Sequence, residues 1–300
     1  MFPNPHLLKA DDVSGIHTVV REYARVAPKY GVDLVSPGES ADIVIGHAGM
    51  GGPKNDVAML HGIYFTSDYN ATNSEWRANY HVVEAIRTAN VVTVPSEWVA
   101  ETLRRDFRID PIVIPHGVVF EDWQHGYEYV PNTVLWAKNR NYDVCDPTPV
   151  SSIARRMPDC TFFTTFASPG APRNVIKIGV QKHGKIKKWI ARSAVVISTV
   201  KETWGIMYAE AMAAGTPVVT ANHGHVPNLV QHGVGGYCYN PQSLDDMEYG
   251  IRWAMRHRDT LSANARELAR KLTWEQAGQR LARVSKLAYD MKIGERSFVV

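Results

Sequence analysis

The chain has 300 residues, room for two domains of ordinary size, and with 45% hydrophobic and 21% charged residues it is neither disordered nor fibrous. No apolar run is long enough to cross a bilayer, and the opening MFPNPHLLKADD lacks the charged-then-apolar order of a signal peptide. The net charge of +3 conceals two halves of opposite sign: residues 1–130 carry 10 Lys and Arg against 17 Asp and Glu, and residues 131–300 the other 23 against 13. The second half therefore suits an anionic ligand, or else its excess is solvated surface on the late helices between Arg252 and Arg296. Three scattered cysteines, Cys145, Cys160 and Cys238, form no C-x-x-C pair. They speak against a structural zinc site and fit a reducing, cytoplasmic compartment.

In chain order, a short lead is followed by a helical stretch, SGIHTVVREYARVAPKYG (14–31). Short apolar runs then read as strands at 31–36, 41–47, 57–62, 91–96 and 111–117, with helices at 74–89 and 96–107, the latter capped by Ser96. The second half repeats the theme, with strands at 133–137, 160–166, 194–199 and 216–221. Its helices fall at 148–157, 184–193 and 205–214, and three more lie near the end. Such alternation predicts an α/β protein with parallel sheets and helices on both faces. The polar, aromatic stretch VVFEDWQHGYEYVPNT (118–133) reads as the join. The expectation is two Rossmann-like domains, a reduced one at 1–128 and a second at 129–280, with a last helix at 281–300 returning to the first. Ligands of such sheets bind at the carboxyl ends of the strands, so the cleft between the domains is the expected site.

The segment KETWGIMYAEAMAAGTPVVT (201–220) carries the most chemistry. It places Glu202 in the loop after a strand and Glu210 inside the following helix, which Gly215 closes with Pro217 just beyond. Backbone amides from Thr203 to Met207 crown the helix start, where anions bind well. Two carboxylates that accept from hydroxyls, beside a donor cluster for phosphate, suit a nucleotide-sugar.

ETWGIMYAEAMAAGTPVV resembles the E-x7-E signature of the retaining, family-4 glycosyltransferases of GT-B fold. The resemblance implies that Glu202 contacts the transferred sugar and Glu210 the ribose, with Thr203, Trp204, Gly205 and Ile206 lining the donor. SGI (14–16) is similar to the family's N-terminal glycine loop, which brings Gly15 to the donor phosphates. VIPHGV (113–118) resembles its Asn-Gly turn with His116 in place of the asparagine, and NLVQHGVGGYCYNP (228–241) the stretch after the signature. TVLWAKNR (133–140) stands where the family has its diphosphate clamp. Here the clamp is Lys138 and Arg140, cations that would stabilise the leaving diphosphate. HGHVPN (223–228) departs from the family's glycine pair and glutamate, with Asn228 where Glu is common. His223 and His225 suggest a metal pair by composition, but the resemblance implies a metal-independent enzyme without a cofactor, its nucleotide-sugar being a substrate.

Family members pass the nucleotide base near Ile178, Gly179 and Val180. The lysines at 182, 185, 187 and 188 would meet the donor, a nucleic acid or only water; exposed helical lysines most often do the last. The first domain would hold the acceptor. His61, in VAMLHGIYF, is the candidate nearest the reacting sugar, with His47, in DIVIGHAGMGG, as the alternative and hydrogen-bonded structural roles open for both. The leading expectation is a retaining glycosyltransferase using a UDP-sugar, with Glu202, His61, Lys138 and Arg140 at the reacting centre. Its acceptor would be a small molecule, a glycan or a lipid-linked sugar. WAKNR and PDCTFFTTF are also similar to compact phage-encoded members, some of which glycosylate hydroxymethylated DNA bases, so DNA stands as the alternative acceptor. A non-catalytic nucleotide-binding relic and a nucleotide-sugar epimerase rank below.

Overall fold

The computed structural model describes residues 15–35, 39–47, 55–62, 73–124, 126–141 and 145–297. The glycine-rich loop 49–52 and the lead before Gly15 lie outside the described residues. The chain divides into two compact units, Val118–Thr273 and the segments on either side of it. The sequence reading set these divisions at 128/129 and 280/281. The observed ones have visible causes. The Val118 amide donates to the Leu272 carbonyl at 2.9 Å, and Val118 and Trp123 lie in the core of the middle unit. Trp274 instead packs edge-on to Tyr23 at 5.6 Å and against His116 at 5.7 Å, so the whole last helix belongs with the first unit.

The first unit comprises α1 (Gly15–Val26), β1 (Ile45–His47), β2 (Val57–Met59), α2 (Asn73–Thr88), β3 (Val91–Val94), α3 (Glu97–Phe107), β4 (Ile112–Val113) and the last helix, Trp274–Ser297. Its strands form a parallel sheet in the order β1-β2-β3-β4. Ser96 caps α3 as expected, its hydroxyl accepting from the Val99 amide at 3.3 Å. Of the expected strand at 31–36, the described residues 31–35 form none. Gly31, at φ 78°, closes a 3-10 turn over Ala27–Tyr30, and the Val32 amide is drawn back to the Ala27 carbonyl at 3.2 Å.

Strand β1 is shorter than expected because a side chain replaces the ladder before it. The Asp56 carboxylate accepts from the Val44 amide at 2.7 Å and from Lys292 of the last helix at 3.0 Å. Lys292 also donates to the Asp42 carbonyl at 2.7 Å.

The middle unit comprises β5 (Val130–Trp136), α4 (Thr148–Arg156), β6 (Thr161–Thr164), β7 (Val175–Lys177), α5 (His183–Arg192), β8 (Ser193–Ser198), α6 (Ile206–Ala213), β9 (Val218–Ala221), α7 (Val226–Val230), β10 (Gly236–Tyr239), α8 (Leu244–Arg256) and α9 (Arg258–Arg270). All neighbouring strands are parallel, in the order β10-β9-β8-β5-β6-β7. Alternate residues of the central strands serve opposite faces. Leu135 and Val196 pack with Tyr208, Met212 and Ala265, while Val134, Trp136, Val195 and Ile197 pack with Ile153, Met157 and Ile251. Strands buried on both faces read as continuous apolar runs, which is why β8 is legible as AVVIST. The edge strands β7 and β10 lie outside the strands read from sequence.

Several cations of this unit have definite partners. Arg270 stacks on Phe120 at 4.7 Å, Arg258 on Tyr129 at 3.9 Å and Lys187 over Trp123 at 5.1 Å. Arg266 donates to Gln124 at 2.9 Å. Cations thus strap Phe120, Trp123, Gln124 and Tyr129 to the unit. Arg252 pairs with Asp159 at 2.8 Å, and Arg156 with Glu248 at 3.1 Å.

Asp56 supplies a test of the first unit. Asp56→Ala removes the acceptor of the Val44 amide and the carboxylate paired with Lys292. We expect it to lower unfolding free energy by about 2–4 kcal/mol, read by chemical denaturation. A loss under about 0.5 kcal/mol would show the contact to be ornamental.

Candidate active site

From β5 the middle sheet grows outward through β6 to β7; the chain then crosses back to β8 on the other flank of β5 and grows through β9 to β10. The connections therefore diverge between β5 and β8, the switch point at which open parallel sheets form a crevice beyond their carboxyl ends. Lys138 lies two residues past β5 and Glu202 four residues past β8. Their side chains meet there: the Lys138 ammonium donates to Glu202 Oε1 and to the Tyr208 hydroxyl at 2.9 Å. Tyr208 sits in the first turn of α6, with Lys138 Nζ 5.1 Å from its ring centroid. The Lys138 backbone amide donates to Thr165 Oγ1 at 2.8 Å, which ties the loop after β5 to that after β6.

The Lys138 side chain is 9% exposed. Burial by itself would discharge it; the neighbouring Glu202 carboxylate, then Tyr208 and Cys145, outweigh that and hold the ammonium well above the usual lysine range. Burial pushes the Tyr208 phenol up, against the pull of Lys138. The site thus keeps a fixed positive charge with two of its three donors in use.

Glu202 is held by its backbone. The His225 amide donates to the Glu202 carbonyl at 2.8 Å. Gly224, at φ +70°, approaches so closely that a Cβ there would stand 2.9 Å from both the nitrogen and the carbonyl oxygen of Glu202. Trp204 stacks on the His225 ring at 4.7 Å and 17°. Gly205 turns the chain into α6 at φ +93°, and a Cβ there would meet Val226 at 2.7 Å. Intrahelical bonding starts with the Tyr208 amide on the Gly205 carbonyl, so the amides of Ile206 and Met207 precede it. Thr203 lies between Glu202 and Trp204 in this loop.

Glu210 is the fifth residue of α6 and 8% exposed. Its Oε1 stands 3.0 Å from Nε2 of His183, the first residue of α5. Past β7, Gly179 adopts φ +71° and the Ile178 amide donates to the Thr164 carbonyl at 2.7 Å. The carbonyls of Ile178 and Gly179 accept from the Gln181 side chain, and Val180 is exposed. Arg140 is half-buried two residues beyond Lys138.

Gly15 and His61 belong to the first unit, where Gly15 is the exposed first residue of α1. His61 and His47, weighed singly from sequence, form one pair. His47 ends β1 and His61 lies just past β2, and His47 Nδ1 is 2.9 Å from His61 Nε2 with the rings stacked at 5.2 Å. His116, past β4, lies 5.9 Å from His61. Burial lowers His61 to about 4 and, with the neighbouring imidazoles, holds His47 well below the ordinary histidine range. In the middle unit, burial likewise lowers His225 to about 4 and depresses His223. Among the described residues no three His, Cys, Asp or Glu side chains gather as metal ligands, and no helix is long and apolar enough to cross a membrane.

Tyr208 and His183 are the site residues that sequence reasoning missed. Tyr208 stands between the two glutamates of the signature, and that position was the available signal. His183 is hidden in a lysine-rich run.

Comparison with known proteins bears on this geometry. Residues 3–122 match the model of the family described as Glycosyltransferase Family 4, and residues 166–272 that described as Glycosyl transferases group 1. Each of the two matches is to a glycosyltransferase family model and covers less than half of the chain. An uncharacterized glycosyltransferase of Methanocaldococcus jannaschii is 30% identical over 128 residues, 41% of this chain and 33% of that protein. The match thus spans about a third of that relative's length. Among solved structures, Anabaena HepE in complex with UDP-glucose is similar at a TM-score of 0.63 and 19% identity, covering 77% of this chain and 71% of that one. WaaG, a glycosyltransferase involved in lipopolysaccharide biosynthesis, is similar at 0.68 and 13%, covering 91% and 96%. At these identities the likeness is one of fold. In this chain Glu202 and Glu210 occupy the loop after β8 and the body of α6.

The buried imidazoles predict an acid limit. His61 and His225 titrate near 4 when folded and near 6.5 when unfolded, so the unfolded chain takes up protons first. Stability should fall as pH drops through the window from about 6.5 to about 4, by up to about 1.4 kcal/mol per pH unit for the nearly enclosed His225. His225→Phe, which keeps a ring on Trp204, should flatten this slope in denaturation measured across pH. An unchanged slope would assign it elsewhere.

Proposed function

We propose that the chain is a retaining glycosyltransferase that moves a sugar from a UDP-sugar to an acceptor hydroxyl without a metal ion. The observation that carries this is the meeting of Lys138 and Glu202 at the carboxyl ends of β5 and β8, with Glu210 on the helix that follows. In this reading Lys138, Arg140 and the amides of Ile206 and Met207 take up the charge of the departing diphosphate. Glu202 accepts from hydroxyls of the transferred sugar, beside Thr203, Trp204 and Gly205, and Glu210 accepts from the ribose. The backbone of Ile178, Gly179 and Val180 meets the base, Gly15 approaches the phosphates, and His61 stands at the reacting sugar. The bond from the sugar's anomeric carbon to the diphosphate breaks, and the bond to the acceptor oxygen forms on the same face. The acceptor proton passes to the departing phosphate oxygen, so no protein nucleophile is needed.

UDP is the favoured nucleotide because HepE, of similar fold, is a complex with UDP-glucose. For the acceptor, a small molecule, glycan or lipid-linked sugar suits the acidic first half better than duplex DNA, which seeks a basic face. The pairing of Arg156, Arg252, Arg258, Arg266 and Arg270 within the middle unit weighs the same way.

Glu202→Gln should reduce sugar transfer by about 100-fold or more while leaving UDP affinity within a few-fold, measured by product analysis and titration calorimetry. Normal turnover by this variant would remove the assignment. Binding of UDP without any glycoside product from the wild-type chain across an acceptor panel would favour a nucleotide-binding relic instead.

A further inference from the structure

We propose that His183 is a positioning residue for the donor, orienting the Glu210 carboxylate so that its second oxygen meets the ribose hydroxyls. The proposal rests on the ribose role given to Glu210 above. Glu210 is buried, and a buried carboxylate is costly without a hydrogen-bond partner. Among the described residues its partner is His183, whose Nε2 lies 3.0 Å from Oε1. An ionised carboxylate only accepts, so the imidazole donates from Nε2, and Oε2 stays available.

The ring is itself held. Trp123, nearly fully buried, meets it edge-on at 5.7 Å and 82°. Lys187, one helical turn after His183, sits over the same indole at 5.1 Å and donates to the Asp122 carbonyl at 3.3 Å. The start of α5 and the segment before β5 thus hold the ring that meets the carboxylate on α6. Exposure indicates which way the pair faces. The His183 side chain is 41% exposed and that of Glu210 10%, so the imidazole stands at the solvent edge with the carboxylate behind it.

A positioning role makes a prediction that a packing role does not. It concerns the preference for a ribose hydroxyl rather than affinity as such. The experiment is calorimetric titration of UDP, 2′-deoxy-UDP and 3′-deoxy-UDP into the wild-type chain and the variants Glu210→Ala, His183→Phe and His183→Gln. Phenylalanine keeps a ring against Trp123 without the N–H, and glutamine restores an amide N–H.

The wild type should favour UDP over the weaker deoxy analogue by about tenfold or more, as expected for a hydroxyl bonded to a charged acceptor. His183→Phe should cut that preference at least threefold while changing affinity for the deoxy analogue less than twofold, and His183→Gln should recover most of it. Equal weakening of all three nucleotides by His183→Phe would make the residue merely structural and overturn the proposal. Loss of the preference in Glu210→Ala but not in His183→Phe would overturn it too, leaving the ribose role of Glu210 intact. A preference that survives Glu210→Ala, or absent in the wild type, would sink the ribose role and this inference together.

Discussion

The ion pair between Lys138 and Glu202 depends on the order of strands in one sheet. The two residues are 64 apart in sequence, and they meet because β5 and β8 are neighbours while their connections leave in opposite directions. The pair is then secured from three sides. Thr165 holds the Lys138 backbone, Tyr208 accepts from its ammonium, and the 224–225 turn grips the Glu202 backbone. A buried cation is tolerated only where its charge is matched and its donors are met. Each of these contacts is thus a condition for keeping a charged ammonium at the switch point, held in place by its paired carboxylate.

Much of this was legible in the sequence, for reasons that differ between residues. AVVIST and TPVVTA announce themselves because strands covered on both faces must be apolar throughout. β7 does not, being a three-residue edge strand with Ile176 and Lys177 exposed. β10 opens on Gly236, which looks like a turn residue. It is a strand residue paired with Val218, and it is glycine because a Cβ there would fall 1.8 Å from the Val218 carbonyl oxygen, an approach invisible without the neighbouring strand. The glutamates were legible as a spacing, but their partners were not. Lys138 and His183 reach them across 64 and 27 residues. His47 and His61 looked like alternatives for one role because a linear reading cannot show that β1 and β2 are paired with His47 level with Met59.

The opposite charges of the two halves also change meaning once the contacts are known. A lysine- and arginine-rich half suggests a surface awaiting a polyanion. Here Lys187, Arg258 and Arg270 lie over Trp123, Tyr129 and Phe120, and Arg266 bonds Gln124. The cations and the aromatics of 120–129 are halves of one device, which attaches the segment entering β5 to the body of its unit. Net charge is a sum and carries no record of such pairing. That is why composition favours an anionic ligand in general yet says little about its size.

The same distinction between spacing and placement explains the two carboxylates. Eight residues apart on one helix, they would lie more than two turns from each other. They are not on one helix: Gly205, at φ +93°, ends the loop that carries Glu202 before α6 begins. Glu202 is therefore positioned by the end of β8 and by the 224–225 turn, whereas Glu210 is positioned by the axis of α6. Their partners differ in the same way. Lys138 brings a full charge that pairs with Glu202, while His183 sets a ring nitrogen 3.0 Å from Glu210 Oε1. A donor that needs one acceptor beside a developing charge and another at fixed orientation around a neutral ribose would place different demands on the two sites. The signature is conspicuous in sequence because both demands fall on one short strand–loop–helix element, although separate parts of the fold meet them.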